Sequence, residues 1–437
     1  MSMRRRPILR KEWLCAIGAL LCAVGMWLYG GRVLIPYQVT DAAAHDRPRG
    51  NLSDLYPRWL GARELFLNKR NPYSPDLTRD IQAGYYGRPL DPARPNDPKD
   101  QEGFAYPLYI VFYLAPSVGL PFAAVKQAFL WLLVILSVVS ALIWMRVLQW
   151  PSSPATQATV VILTMGSLAV MQGLKLQQMT MLVAGILALA ILFLITDCQL
   201  LAGVLFAAAT IKPQLLVLPL LWLALWTLGD LRRRYRWALA FLIVMVVQIA
   251  GAEYYLPHWI PCFWQAIREY RQYTGAISVT EVLIGTVLGT VIEVLSFALL
   301  VRVCWKSRLT PASSPAFATT TTLVLALTVL LIPTDSVYNQ VLLLPAVLML
   351  LRDWRALWRR GIVVRLLVCA VGLLVAWPWI SSVVLVACSF VVSPETIQRA
   401  WALPFWTVVP TPLGVAAVML ALASHRTFAE SPAGASS

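Results

Sequence analysis

The chain has 437 residues, 59% of them hydrophobic and 13% charged, with a mean hydropathy of +0.68 and a formal charge of +15. A water-soluble domain carries about 25% charged residues, so this composition excludes one. Many apolar runs reach the ~20 residues that cross a bilayer, and they do not alternate as β-barrel strands would, which specifies an all-α polytopic membrane protein. The surplus arginines cluster at span ends, as the positive-inside rule requires, so the charge calls for no nucleic acid.

In chain order, residues 1–12 form a basic cytoplasmic N-terminus carrying Arg4, Arg5, Arg6, Arg10 and Lys11. The first span, Trp13–Pro36, is too long for a signal-peptide core and lacks a small-residue cleavage site, so it reads as a retained helix. Residues 37–106 form a polar extracytoplasmic loop, far longer than an ordinary connection. It holds 10 of the 21 acids, from Asp41 to Glu102.

Within that loop, Ser53-Asp54 starts a helix: Ser53 can cap, Asp54 suits the positive helix end, and Pro57 is tolerated in the first turn. Leu55, Trp59, Leu60, Ala62, Leu65 and Phe66 make an apolar side, with Arg58 and Arg63 polar, which predicts an amphipathic helix on the membrane surface. It ends near Asn68, and Asn71-Pro-Tyr73 reads as an extended turn. Asp54 is either a plain N-cap or a general base able to take a proton from a sugar hydroxyl. Asp41, at the exit of the first span, is a second candidate, and Asp46 a weaker one.

Residues 107–424 form the transmembrane domain, with spans expected near 122–145, 157–171 and 179–196, then an apolar stretch 200–228. One helix there would strand Arg232, Arg233, Arg234 and Arg236 on the wrong side. A hairpin hinged at Lys212-Pro213 keeps them inside, and proline supplies the break. Further spans follow near 237–256, 279–303, 316–332, 338–351, 361–385 and 405–423. The total is about 12 spans, with a cytoplasmic tail, 425–437, whose end, Ser431–Ser437, is expected to be disordered.

This threading gathers the polar motifs on one face. Lys212, beside Pro213 and Gln214, is an ionisable group inside an apolar stretch, a functional position by default. It could meet a phosphate, or snorkel to the interface. Gln172, Lys175, Gln177 and Gln178 suit a sugar or phosphate, or form a solvated turn. Arg268 and Arg271 share a helix face and could grip a phosphate; beside Trp259 and Trp264 they equally suit an anchoring interfacial helix. Thr334–Gln340 ends one span and begins the next, and its Tyr338, Asn339 and Gln340 supply neutral donors and acceptors. The seven cysteines lack C-x-x-C spacing, and His45, His258 and His425 are scattered, so no disulfide framework and no zinc or His-based metal site is expected; no cofactor is called for, and the ten loop acids leave a divalent cation open.

The order of these motifs carries a resemblance. Asp54-Leu with its Ala62-Arg63 helix and Asn71-Pro-Tyr73, Phe104-Ala-Tyr-Pro107, Gly173 with Gln177-Gln178, Lys212-Pro213 and Tyr338-Asn-Gln340 resemble glycosyltransferase family 87. Its members are polyprenol-phosphate-dependent mannosyltransferases of the GT-C superfamily. The similarity runs from about residue 13 to about residue 355. Pro57 and the Pro-, Asp- and Arg-rich stretch Gly84–Glu102 depart from the family pattern.

The resemblance implies a GT-C-like fold with a long first extracytoplasmic loop. It implies an inverting transfer of a sugar, mannose for this family, from a polyprenyl-phosphate-linked donor to a lipid or glycan acceptor, at the outer face of a bacterial plasma membrane. It places the catalytic base at Asp54, with Asp41 as runner-up, and Lys212 near the donor phosphate, with Arg268 or Arg271 stabilising the leaving charge. The rival reading is a transporter or flippase for a lipid-linked substrate; a non-catalytic membrane scaffold is a third.

Overall fold

The computed structural model describes residues 5–274, 277–332 and 336–429. Arg4, Thr334, Asp335 and the tail Ser431–Ser437 lie outside them, as do the side chains of Arg5, Arg6, Arg10, Lys11 and His425. Among the described residues the elements are all helical.

Helix α1, Arg5–Tyr29, passes through a π turn, Gly30–Leu34, into α2, Ile35–Ala44. The first span therefore does not end at Pro36; the apolar rod runs from Glu12 to Ala44. The wide turn, in which the Ile35 N–H reaches back to Gly30 O, comes just before the proline, whose ring tolerates only the first turn of a helix. In the polar segment, α3 spans Leu55–Asn68 and α4 spans Pro75–Tyr86. Ser74 caps α4 by accepting from the Leu77 N–H, Pro75 sits in its first turn, and Gly87 ends it at φ 92°.

The short α5, Ile110–Leu114, leads into α6, Phe122–Val147. Helices α7, Pro154–Met165, and α8, Leu168–Leu176, meet at a 54° bend. Then come α9, Met179–Ile195, α10, Gln199–Ala209, and α11, Val217–Gly229. The break expected at Lys212-Pro213 is present: α10 stops at Ala209, and a 3-10 turn covers Pro213–Leu215. Lys212 takes the extended-side backbone (φ −125°, ψ 75°) that a following proline favours.

Helix α12 spans Leu231–Tyr255, α13 Trp259–Thr274, α14 Val279–Ile284, α15 Thr286–Ser307 and α16 Pro315–Leu331. A 3-10 helix, Val337–Leu343, opens onto α17, Leu344–Trp358, followed by α18, Ile362–Cys388, α19, Pro394–Arg399, and α20, Pro410–Ala429.

Among the described residues six helical segments are long and apolar enough to cross a membrane, or seven if the bent α7–α8 pair is one span. The chain is thus multi-spanning. The twelve expected spans also counted α9 and α16, of 17 residues each, α10, of 11, α11, of 13, and α17, of 15. At 1.5 Å per residue even the longest of these covers only about 26 Å, less than the ~30 Å hydrocarbon core.

Helix α16 is apolar all round and forms the centre. Every residue from Phe317 to Leu330 is buried, against α11, α15, α17 and α20. Two of its buried threonines are satisfied within the helix: Thr319 and Thr328 each donate to the carbonyl four residues back, both at 2.8 Å. Helix α10 lies between α9 and α12. Gly203 permits this, since a Cβ there would collide with the Trp237 carbonyl and Ala240. On α12, Leu242, Ile243, Val246 and Val247 are exposed, as a lipid-facing surface is.

The two ends of the bundle differ. At one end α3 packs on the rods: Phe122, opening α6, meets the Tyr56 ring edge-on at 4.8 Å, and Tyr255, closing α12, meets Phe66 at 5.0 Å. At the other end of the same rods stand Arg146 and Arg234.

Candidate functional site

The site begins where the polar segment docks on the end of α8. Gly173 and Leu174 accept from the Gln178 and Gln177 N–H groups, and Gln177 sits in the left-handed region at φ 53°. The next orphan carbonyl, Leu176 O, is capped from outside by the Asp54 N–H at 2.9 Å. Ser53 Oγ donates to Gln177 Oε1, and Gln177 Nε2 donates to Lys126 O on α6 at 2.5 Å. Lys126 Nζ in turn donates to Asn51 O at 3.1 Å. Ser53 therefore does not cap α3, as the sequence suggested; it fastens the segment to α8.

Asp54 holds the N-cap position of α3, yet its side chain accepts no capping bond from that helix. The carboxylate faces inward instead. Oδ1 accepts from Tyr85 OH at 3.0 Å, and Oδ2 accepts from Gln178 Nε2. Crowding by protein raises its pKa above the ordinary carboxylate range, with Arg58, Tyr85 and Lys212 pulling it back and Asp100 adding to the rise.

Arg58 was read as polar surface. The structure buries it, its Nη1 donating to Asp54 O at 2.8 Å and lying 3.8 Å from Glu102 Oε2, with the guanidinium over the Tyr106 ring at 4.3 Å. The apolar side of the helix joins the core through Leu55, Trp59, Ala62 and Leu65. Burial works against the charge of Arg58, and Tyr106, Glu102 and Asp54 more than offset it, lifting its pKa. Glu102 is driven well above the usual range by burial and then by Asp100 and Asp54. The expected turn is present beside it: Asn71 Oδ1 accepts from the Tyr73 N–H at 2.9 Å, and Tyr73 OH donates to Tyr106 O at 2.7 Å.

From the membrane side comes Lys212, buried at the α10–α11 break. Its Nζ donates to Thr180 Oγ1 at 2.6 Å and lies 5.1 Å from the centre of the Tyr338 ring. Thr180 Oγ1 donates to Asn339 Oδ1 at 3.0 Å. Lys212 is close enough to Asp54 and Arg58 to interact with both charges. Asp54, Gln178, Lys212, Tyr338 and Asn339, drawn from four separate motifs, thus form one polar cluster.

Other candidates lie elsewhere. Asp41 ends α2 and pairs with Arg47 at 2.9 Å and His45 at 3.4 Å. Asp46 pairs with Arg94 at 3.1 Å on the surface. Lys175 Nζ donates to Gln38 Oε1 at 2.6 Å, tying α8 to α2. Gln214 is exposed. Arg268 and Arg271 are exposed on α13, while Tyr270, half-buried on the same helix, is the side chain that acts electrostatically with Arg58, Asp100 and Glu102.

Sequence reasoning did not single out Tyr85, Thr180 or Tyr270. Tyr85 had a local signal, the Ser74-Pro75-Asp76 start of α4; Thr180 and Tyr270 had none. Among the described residues no three His, Cys, Asp or Glu side chains come together as metal ligands would.

Next to the cluster runs an apolar crevice of about 380 Å³. The 337–343 helix is its partition. Tyr338 and Asn339 face the polar side, while Val337, Gln340 and Leu343, spaced one 3-10 turn apart, line the crevice. Gln340 Nε2 donates to Val408 O at 2.5 Å and holds the partition to the C-terminal segment. Asp54 is not among the crevice residues.

Compared with known protein families, with characterised proteins and with solved structures, the chain matches none of them. The arrangement offers a carboxylate on two neutral donors, an ammonium group a short way off, and an apolar channel behind a thin wall.

Proposed function

We propose that the protein is an inverting membrane glycosyltransferase of GT-C-like organisation, moving a sugar, mannose in the first instance, from a polyprenyl-phosphate-linked donor to a lipid or glycan acceptor. In this reading α3 and α4 stand on the extracytoplasmic face of a bacterial plasma membrane and the arginine-rich end is cytoplasmic, as the positive-inside rule favours. The short helices α9, α10, α11, α16 and α17 are then shortened crossings of a twelve-pass threading. The observation that carries the reading is that Asp54, from the polar segment, is held by Gln178, while Lys212, from the broken membrane hairpin, is held by Thr180 two residues on, so both charged groups meet at the start of α9.

The reaction is a direct displacement. Asp54 takes the proton of the acceptor hydroxyl, held by Tyr85 and Gln178 so that one lone-pair direction stays aimed at the substrate. The hydroxyl oxygen attacks the anomeric carbon, whose bond to the phosphate oxygen breaks with its electron pair. Polyprenyl phosphate leaves with its charge met by Lys212, a fixed cation in a water-poor site. Arg268 and Arg271 lose that role because both are exposed. The prenyl chain lies in the apolar crevice. No cofactor is assigned.

The test is transfer by purified protein given polyprenyl-phosphate mannose and a membrane lipid extract. Release of polyprenyl phosphate that disappears in Asp54→Asn supports the reading. Full activity in a folded Asp54→Asn protein would overturn the base. Donor binding without turnover would favour a transporter.

A further inference from the structure

At the end of the bundle remote from Asp54, a second cavity of about 510 Å³ opens among the ends of α9, α10, α11 and α12 and the turn around 309–312. Helix α12 fixes the separation: 25 residues from Leu231 to Tyr255 give about 37 Å of rod. Four guanidinium groups, Arg232, Arg233, Arg234 and Arg236, line the cavity against two carboxylates, Asp197 and Asp230, leaving it net positive.

The arginines divide the work. Arg234 is buried and braces the walls: it donates to Trp226 O at 2.5 Å, to Arg308 O at 2.6 Å and to Thr310 O at 3.0 Å, with its guanidinium 4.1 Å from the Trp226 ring centre. Its donors are spent on structure. Arg232, Arg233 and Arg236 are exposed at the rim, and only Arg233 approaches an acid, Asp230 at 3.9 Å, among the described residues. Beside the rim, Leu228 (72% exposed) and Leu231 (56%) continue into the apolar outer face of α12 at Leu239.

Arginine forks match phosphate oxygens in pairs, and solvated interfacial arginines need no walled cavity braced by the carbonyl bonds of Arg234. A phosphate in this cavity would carry its attached chains directly onto an apolar surface. We propose that the cavity binds the phosphate headgroup of an acidic membrane phospholipid, gripped by Arg232, Arg233 and Arg236, in the leaflet opposite the Asp54 site. The site stands independently of the glycosyl-transfer reading.

The test is native mass spectrometry of the full chain in detergent, offered phosphatidylglycerol and phosphatidylcholine of equal chain length. Phosphatidylglycerol should be retained about tenfold or more in preference, the scale expected of several basic residues at a membrane surface. Arg232→Gln/Arg233→Gln/Arg236→Gln should abolish the preference while thermal unfolding stays unchanged, since these side chains are exposed. Arg236→Gln alone, a milder change, should reduce it. Equal retention of the two lipids, or an unchanged preference in the triple variant, would overturn the proposal. Inorganic phosphate that displaces the lipid and alone protects the cavity arginines from a guanidine-modifying reagent would overturn the lipid assignment in favour of a soluble ligand.

Discussion

Gln178 Nε2 donates to Asp54 Oδ2 across 124 residues of chain, while Tyr85 OH holds the other carboxylate oxygen. The pair places a carboxylate from the polar segment against the mouth of the membrane domain. Asp54→Asn keeps the shape and removes the proposed base. Transfer should fall by about 10²–10⁴-fold, the usual worth of a general base. Gln178→Leu and Tyr85→Phe, which loosen its aim, should cost less. Thermal unfolding should not drop in Asp54→Asn, because the fold already disfavours the charged form. Kinetics beside calorimetry on the same preparations checks this.

The raised carboxyls fix the sign of the pH dependence. Asp54 and Glu102 both ionise above the ordinary range in the fold. A base must be deprotonated, so the acid limb of activity should lie above ~4, where a free carboxylate titrates. Stability runs the other way: a raised acid favours the fold fully below its unfolded pKa, and the benefit is lost as pH rises through the folded value. Asp97 has the opposite sign. Its ion pair with Arg88 lowers it to about 2, so its contribution is present above the unfolded pKa and lost only on approaching pH 2. An activity profile over pH 4–9 and a melting series over pH 2–9, with Glu102→Gln flattening the upper part of the second, separate these contributions.

Lys212→Met tests the cation. Removing a fixed cation from a leaving phosphate should cost roughly 10²-fold in transfer. Since Lys212 pulls the Asp54 pKa down, the acid limb should also move to higher pH in the variant. A merely structural lysine would leave that limb in place.

Asp41→Asn and the pair Arg268→Gln/Arg271→Gln should leave transfer within about twofold. Asp41 spends its carboxylate on Arg47 and His45 at the end of α2, and an exposed ion pair of that kind is worth about 0–1 kcal/mol. A large loss in either variant would relocate the site.

What the sequence made legible follows from how local each cause is. The break at Lys212-Pro213 and the turn at Asn71-Pro-Tyr73 rest on proline and asparagine chemistry within a few residues, and both are found. The contacts of Ser53 and Asp54 were undecidable locally, because either suits an N-cap; Gln177 and Gln178, far along the chain, receive them instead. Arg58 looked like a solvent residue until Tyr106 and Glu102 covered it. On α13 the helix was foreseen but its rotation was not, so Arg268 and Arg271 were favoured over Tyr270. The span count is less local: hydropathy marks an apolar run but not the length of its helix, and among the described residues six or seven helices are long enough to cross.

The bond from the Asp54 N–H to Leu176 O also orders assembly. It closes a loop of about 120 residues, a large entropic debt that only the folded end of α8 can offset. A nascent chain that has emitted α3 but not α8 has its carboxylate without its seat. The Asp54 carboxyl is therefore put in place after five further helices, α4 to α8, have formed, and a chain halted before Leu176 should leave residues 45–54 open to proteolysis that the finished protein resists.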